Sequence, residues 1–146
     1  MPKLRVLIAD DERPARLFLK NLLNGFEDVE VVGEAKDGAE VLDVIKEIKP
    51  DLLLLDLQMP VLSGLEVFKL LPEKSEFFVV FVTADEAKAA QIFEAGSFEY
   101  LLKPVAQAQL RAVVNKAKQI VIDSRDTESN FGTHEKDSDS ESKNKQ

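Results

Sequence analysis

The chain has 146 residues, a formal net charge of −8 and 45% apolar residues. This composition predicts one globular domain with a sizeable core and excludes two full-sized domains. Binding to nucleic acid is not indicated, because it needs a clustered basic surface and residues 1–122 and 123–146 are each net acidic. The absence of cysteine excludes a disulfide scaffold and a thiolate metal site. The short apolar run before Asp10 indicates neither a signal peptide nor a membrane span, so the expected location is the cytoplasm.

Short apolar runs alternate with segments of helical periodicity along the first 122 residues. The predicted strands are residues 5–9, 30–32, 52–55, 78–82 and 100–102. The predicted helices are residues 14–23, 39–48, 64–71, 86–95 and 106–122. The continuous run Leu52-Leu-Leu-Leu55 is typical of a strand that is buried on both faces. Strict alternation therefore predicts an α/β fold, a doubly wound five-stranded parallel sheet with helices on both faces.

Residues 123–146 differ sharply in composition from the rest of the chain. They hold five serines, seven acidic residues and four basic residues, with Phe131 as the one aromatic. Such a segment cannot bury enough apolar area to offset the entropy lost on ordering. The sequence therefore predicts a folded domain over residues 1–122, followed by a disordered, acidic, serine-rich tail over 123–146.

Polar side chains follow four of the five predicted strands. They are Asp10, Asp11 and Glu12 after the first strand, Asp56 after the third, Thr83 after the fourth and Lys103 after the fifth. Open parallel sheets bind ligands outside the carboxyl ends of their strands, so these side chains are expected to meet in one crevice. Carboxylates suit Mg²⁺ and can attack phosphorus, while a lysine and a hydroxyl can stabilise phosphoryl oxygens.

Each of these residues alone also fits a plainer interpretation. The run Asp10-Asp11-Glu12 is typical of the acidic start of a helix, which the helix dipole favours. Asp56 is harder to explain in this way, because a carboxylate that ends an apolar strand is costly to bury without a partner. The convergence of four strand ends is therefore the main signal for a functional site.

Several motifs resemble the receiver domain of two-component response regulators, over about residues 3–122. They are Val6-Leu-Ile-Ala-Asp-Asp-Glu12, Leu54-Leu-Asp-Leu-Gln-Met-Pro60 with Ser63-Gly64, Phe81-Val-Thr-Ala84, and Glu94-Ala-Gly96 before Tyr100-Leu-Leu-Lys-Pro104. The resemblance implies a flavodoxin-like fold with the strand order 2-1-3-4-5. It also implies a regulatory phosphoacceptor rather than a dedicated enzyme, one that catalyses at most its own phosphotransfer and dephosphorylation.

The resemblance implies a metal-dependent site for phosphorylation at Asp56. Mg²⁺ (or Mn²⁺) would be held by Asp56, Asp11 and the main-chain carbonyl of Gln58, with Asp10 joining through a water molecule.

The same resemblance implies roles for three residues of the last two strands. Thr83 would hydrogen-bond the phosphoryl group, and Lys103 would pair with Asp56 before modification and with phosphate after it. Thr83 and Tyr100 would form the switch, through a change in the rotamer of the tyrosine ring. A plain core position for Tyr100 fits its sequence equally well. The bond before Pro104 is expected to be cis.

The implied partners are a histidine kinase or a histidine phosphotransfer protein as phosphodonor, and a downstream protein or a second copy of the chain. The latter would bind the face made by the fourth helix, the last strand and the last helix. The one histidine, His134, lies in the predicted tail, so the donor is expected to be another molecule. No direct binding to nucleic acid or membrane by this chain is expected.

The wording of Asp11-Glu-Arg-Pro-Ala-Arg16 and Tyr100-Leu-Leu-Lys-Pro104 resembles receivers that precede LytTR-type DNA-binding domains. The tail is too small and too acidic to replace such a domain. The sequence as given is therefore expected to be either a stand-alone receiver or a piece of a longer regulator.

Three other classes of protein share parts of this pattern with the receiver. A phosphatase acting through an aspartyl phosphate would need an Asp-x-Asp nucleophile motif, which the sequence lacks. A flavodoxin would need a glycine- and hydroxyl-rich phosphate loop where Asp10, Asp11 and Glu12 stand. The strongest alternative is a phosphorylation-independent, receiver-like protein-binding module, which usually lacks an acid, the acceptor or the lysine.

Overall fold

The protein alternates five strands and five helices. The computed structural model describes the backbone of residues 3–72, 77–96 and 99–134, and the side chains of 3–72, 77–91 and 99–121. In chain order the elements are β1 (Leu4–Ala9), α1 (Arg13–Asn24), β2 (Val29–Ala35), α2 (Gly38–Ile48), β3 (Leu52–Asp56), α3 (Gly64–Leu70), β4 (Phe78–Thr83), α4 (Glu86–Gly96), β5 (Glu99–Leu102) and α5 (Gln107–His134). Among the described residues, no helix combines the length and apolar character needed to cross a membrane.

The five strands form one parallel sheet in the order β2-β1-β3-β4-β5. This confirms the α/β class and the strand order 2-1-3-4-5. β2 is longer than the predicted strand over residues 30–32, because its pairing with β1 continues to Ala35 opposite Ala9. The charged Glu34 breaks the apolar pattern that marks a strand, but backbone pairing at the sheet edge does not require an apolar side chain.

Side chains from alternate strand positions build two cores, one on each face of the sheet. The first lies under α1 and α5 and contains Leu19, Leu23, Leu110 and Val114. The second lies under α2 and α3 and contains Val41, Ile45, Val67 and Leu71. The middle strand β3 contributes to both cores and is buried throughout, as its unbroken apolar run predicts.

The last helix extends beyond its predicted end. α5 continues past residue 122 to His134, whereas the sequence places the start of the tail at residue 123. Adding residues to an existing helix is far easier than starting one, so the polar residues after 122 can continue it. The serine-rich end of the tail, residues 135–146, lies outside the described residues, and the division into domain and tail stays a prediction.

An ion cluster joins α5 to the loop before β2. Arg111 and Lys118 both donate hydrogen bonds to the carboxylate of Asp28, with the closest atoms 2.6 Å apart in each pair. The Arg111 guanidinium also lies over the ring of Phe26, 4.7 Å from its centroid. These cations, Arg111 first, hold the pKa of Asp28 well below its ordinary value. The cluster therefore fixes α5 at the end of the sheet opposite the predicted site.

The start of α3 packs directly on the end of β3. Ser63 accepts a hydrogen bond from the Glu66 N–H, and Glu66 accepts one in return from the Ser63 N–H, which together form a capping box. The Gly64 N–H donates to the Leu57 carbonyl at 2.9 Å. A Cβ added at Gly64 would lie 2.2 Å from the main-chain oxygen of Asp56. Only glycine therefore permits this approach.

Gly64→Ala is expected to destabilise the protein by about 2 kcal/mol, because the added methyl group displaces the backbone at Asp56. Gly25→Ala is the matched control. Its added Cβ would lie 3.4 Å from the Leu22 carbonyl oxygen, at a φ of −79° that alanine adopts freely. Urea unfolding should show a loss for Gly64→Ala and little change or a gain for Gly25→Ala. Equal unfolding free energies would contradict the close approach.

Candidate functional site

The turn after β1 places two adjacent acids at the carboxyl edge of the sheet. Asp10 is buried and Asp11 is exposed. The Asp10 N–H continues the β1–β2 pairing by donating to the Ala35 carbonyl at 3.0 Å. One Asp10 carboxylate oxygen accepts the Glu12 N–H at 2.9 Å, which leaves the other for a cation. The backbone thus directs one acid into the crevice and its neighbour to the crevice rim.

Asp56 ends β3 and is 3% exposed. Its carboxylate oxygen Oδ1 accepts a hydrogen bond from the Gln58 N–H at 3.1 Å. The next residue, Leu57, donates its N–H to the Val82 carbonyl of β4, so the backbone directly after Asp56 is held as well. The carboxylate is therefore both buried and fixed in orientation.

Lys103 brings the single ammonium group of the crevice to both buried acids. Its Nζ lies 2.7 Å from Asp10 Oδ2 and 3.6 Å from Asp56 Oδ2. The predicted pairing with Asp56 is thus present, and the contact with Asp10 is shorter. The Lys103 N–H donates to the Thr83 carbonyl, and the Lys103–Pro104 peptide bond is cis, as the resemblance implies.

Thr83 and Tyr100 lie on the neighbouring strands β4 and β5. Thr83 is fully buried, and its hydroxyl oxygen accepts the Asp85 N–H at 3.0 Å. Tyr100 pairs with Phe81 in the sheet, and its half-buried ring packs against the core under α2 and α3. Both residues therefore stand at the positions predicted for a switch, and their roles stay predictions.

Three acidic side chains can offer oxygen atoms to a single cation. Within the described ranges, the candidate ligand atoms of Asp10, Asp11 and Asp56 all lie within 4.8 Å of one another. An all-oxygen set that is open at the rim suits Mg²⁺, which keeps water molecules and substrate oxygens in its remaining positions. Gln58, the predicted source of a main-chain carbonyl ligand, lies in the turn directly after Asp56. The residues present thus fit the ion that the resemblance implies.

Burial raises the pKa of Asp56 to about 6, against an ordinary value of 3.8. The hydrogen bond from Gln58 acts in the opposite direction, and the neighbouring Asp10 carboxylate adds to the rise. Burial would lower the pKa of Lys103, but its contacts with the two carboxylates raise the pKa above the ordinary value. The Lys103 ammonium group is thus shared by two carboxyl groups with a third close by, and the crevice favours a further positive charge.

Two contributors to the site were not identified from the sequence as such. Arg16 on α1 donates to the Asp10 carbonyl at 2.8 Å, and Gly64 permits the approach of α3 to Asp56. Arg16 is the last residue of the motif Asp11-Glu-Arg-Pro-Ala-Arg16, but its contact with the Asp10 carbonyl was not predicted. Its position one helical turn after Glu12, facing the acids, is the signal that could have found it.

The comparisons with known proteins agree with this geometry. The family model described as response regulator receiver domain matches residues 6–115. Transcriptional regulatory protein BtsR of Salmonella typhi is 40% identical over 116 residues, which cover 80% of this chain and 48% of BtsR. An uncharacterised response regulatory protein of Vibrio cholerae is 43% identical over 113 residues, covering 77% of this chain and 48% of that protein.

Solved structures give the same result. The receiver domain of AraT, a response regulator from Geobacillus stearothermophilus, matches with a TM-score of 0.72 and 36% identity, covering 84% of this chain and 98% of that one. The signal receiver domain of the putative response regulator NarL from Mycobacterium tuberculosis matches with a TM-score of 0.67 and 33% identity, covering 81% and 98%.

The chain therefore belongs to the response regulator receiver domain family. It is a receiver domain of two-component signal transduction, a regulatory class rather than a class of conventional enzymes, whose members bind Mg²⁺ at an acidic pocket. The chain spans about half the length of the curated relatives it matches.

Asp56→Asn is expected to stabilise the metal-free protein at pH 7 by about 2 kcal/mol, because it removes a charge that burial disfavours. The folded state holds the Asp56 proton more tightly than the unfolded state. The contribution of this group to stability is therefore present below about pH 4 and is lost as pH rises to about 6.

Urea unfolding of both proteins between pH 4 and pH 7 measures this difference, since shifts at groups that do not interact with Asp56 cancel in the comparison. The advantage of Asp56→Asn should grow across that window. A difference that is constant with pH would show that the pKa of Asp56 is not raised.

Proposed function

We propose that Asp56 is the phosphoacceptor of this receiver. The observation that supports this role most is its position, a buried and fixed carboxylate next to two further acids and the Lys103 ammonium. With a pKa of about 6, the group is largely ionised at neutral pH and is therefore available as a nucleophile. A phosphorylation-independent binding module is not favoured, because every polar position that a phosphoacceptor needs is filled.

In the proposed reaction, an Asp56 carboxylate oxygen attacks the phosphorus of a phosphohistidine on the donor protein. A new P–O bond forms while the P–N bond breaks, and the imidazole leaves with the electron pair and takes up a proton. The Gln58 N–H, which donates to Asp56 Oδ1, orients the carboxylate so that Oδ2 faces Lys103 and the crevice. The phosphodonor is a histidine kinase or a histidine phosphotransfer protein.

Asp10, Asp11 and Asp56, with the main-chain carbonyl of Gln58, are the proposed ligands of Mg²⁺ (or Mn²⁺). When bound, the ion supplies positive charge that offsets the charge on the transferring phosphoryl group. Lys103 lies between Asp10 and Asp56, so its ammonium group can move from the carboxylates to a phosphoryl oxygen without leaving the crevice. These residues would let the receiver catalyse its own phosphotransfer and dephosphorylation.

The proposed switch uses the Thr83 hydroxyl and the Tyr100 ring. The hydroxyl is buried and its oxygen accepts the Asp85 N–H, so its proton can be donated to a phosphoryl oxygen. Movement of Thr83 toward Asp56 would leave space behind it for the ring of Tyr100. The resulting change would alter the face of α4, β5 and α5, which binds a downstream protein or a second copy of the chain.

We also propose a type for the longer regulator to which such a receiver would belong. The motif Asp11-Glu-Arg-Pro-Ala-Arg16 supports a receiver of the kind that precedes LytTR-type DNA-binding domains. We place its action in the cytoplasm, where a histidine kinase would supply the phosphoryl group. The receiver itself offers a net acidic surface and is not proposed to contact nucleic acid.

Incubation with acetyl phosphate and Mg²⁺, followed by intact mass measurement, tests the acceptor. The wild type should gain one phosphoryl group that hydroxylamine removes, whereas Asp56→Asn and the wild type with EDTA should gain none. Asn keeps the shape of the side chain and lacks the nucleophile. Equal labelling of Asp56→Asn, or no labelling of a wild type that binds Mg²⁺ and is offered acetyl phosphate and phosphoramidate, would overturn the proposal.

Lys103→Met is expected to bind Mg²⁺ about tenfold more tightly and to be phosphorylated more slowly. The substitution removes the ammonium group that competes for the same carboxylates, and it also removes charge that stabilises the phosphoryl group. Lys88→Met, on the exposed surface of α4, is the charge-matched control. Titration with Mg²⁺ and the rate of mass gain are the two measurements. Weaker Mg²⁺ binding by Lys103→Met than by Lys88→Met would contradict the proposed role.

A further inference from the structure

Arg16 joins the first helix to the ends of two strands. Its Nη1 donates to the main-chain carbonyl of Asp10 at 2.8 Å, and its Nε donates to Glu34 Oε1 at 2.9 Å. The Arg16 side chain is only 15% exposed, and its contact with the Asp10 carbonyl is partly buried, whereas its contact with Glu34 is open to water. The planar guanidinium holds its donors in a fixed geometry, so both partners are held in a defined direction relative to each other.

The Asp10 carbonyl belongs to the peptide group that connects Asp10 to Asp11. The atoms of a peptide group lie in one plane, so holding the carbonyl oxygen also sets the direction of the Asp11 N–H and the starting point of its side chain. Asp11 is exposed, in contrast to Asp10 and Asp56, and burial does little to fix it. A hydrogen bond to the Asp10 carbonyl can therefore restrict the position of Asp11.

Glu34 is itself well placed to hold the guanidinium. It lies on β2 opposite Ile8, next to the Ala35 carbonyl that accepts the Asp10 N–H. Lys20, one turn further along α1, donates to the other Glu34 oxygen at 2.8 Å. Glu34 thus accepts hydrogen bonds from two cationic side chains of α1. Of these two, Arg16 also contacts the Asp10 carbonyl.

We propose that Arg16 is a positioning residue of the metal site, which holds the peptide group between Asp10 and Asp11 and thereby orients the Asp11 carboxylate toward the cation. This inference rests on the proposed function, in which Asp11 is a ligand of Mg²⁺. Substitution of a residue that holds a metal ligand from outside the coordination sphere commonly lowers the metal affinity about tenfold or more.

Charge and position have opposite effects on Mg²⁺ binding, and this makes the inference testable. Loss of a positive charge near three carboxylates would by itself tighten Mg²⁺ binding. Loss of the hydrogen bond to the Asp10 carbonyl would weaken it, because Asp11 would then have to be ordered on binding. Lys20 offers a matched comparison, since Lys20→Met removes the same charge and another contact to Glu34 but leaves the Asp10 carbonyl held.

The experiment is a Mg²⁺ titration of the full chain as wild type, Arg16→Met and Lys20→Met, followed by calorimetry. Arg16→Met should raise the Kd about tenfold over Lys20→Met, which should stay within about twofold of the wild type. The ¹⁵N–¹H resonance of Asp11, recorded without metal, should shift or broaden in Arg16→Met and remain in place in Lys20→Met. Thermal unfolding without metal checks that both variants are folded.

Equal Kd values for the two variants, or an Asp11 resonance that moves equally in both, would overturn the inference. If Arg16→Met fails to fold, the double variant Arg16→Met, Glu34→Gln leaves no unpaired carboxylate, keeps the net charge and should show the same raised Kd. A wild type that binds no Mg²⁺ would overturn this inference and the metal part of the proposed function together. A wild type that binds Mg²⁺ but is never phosphorylated would overturn only the proposed function.

Discussion

The structure depends on two buried carboxyl groups, Asp10 and Asp56, that share the Lys103 ammonium group while the exposed Asp11 carboxylate lies beside them. Burial raises the pKa of Asp56, and the Lys103 ammonium, held mainly by Asp10, offsets only part of that cost. Such an arrangement is unfavourable for a metal-free protein and favourable for one that takes up a divalent cation and a phosphoryl group. The stability of the crevice and its chemistry are therefore set by the same side chains.

The backbone around the crevice explains how this arrangement persists. Asp10 is held through its N–H by β2, through its carbonyl by Arg16 and through its carboxylate by Glu12 and Lys103. Asp56 is held by the turn that follows it and by the close approach of α3 at Gly64. Most of these contacts are made by peptide groups, so the site is built into the sheet edge. In the proposed switch, Thr83 would therefore move relative to a fixed acceptor carboxylate.

Much of the fold and the site was predictable because both follow from local pattern and one topological rule. The apolar run from Leu52 to Leu55 identifies a central strand, and the polar residues that follow four of the five strands lie at the shared carboxyl edge. The contact of Arg16 with Glu34 was not predictable, since Glu34 lies on the edge strand β2 and does not fit an apolar pattern. The length of α5 was also missed, because a change to polar composition was taken as the end of the helix, although polar residues can continue an existing helix.

Ionised Asp56 carries a buried negative charge, which a divalent cation is expected to stabilise. The most direct measurement is the pH titration of the Asp56 carboxyl ¹³C resonance by NMR, with and without Mg²⁺. We expect the pKa of Asp56 to be about 6 without the ion and clearly lower with it. An ordinary aspartate pKa in the metal-free protein, or a pKa that Mg²⁺ does not change, would contradict the account.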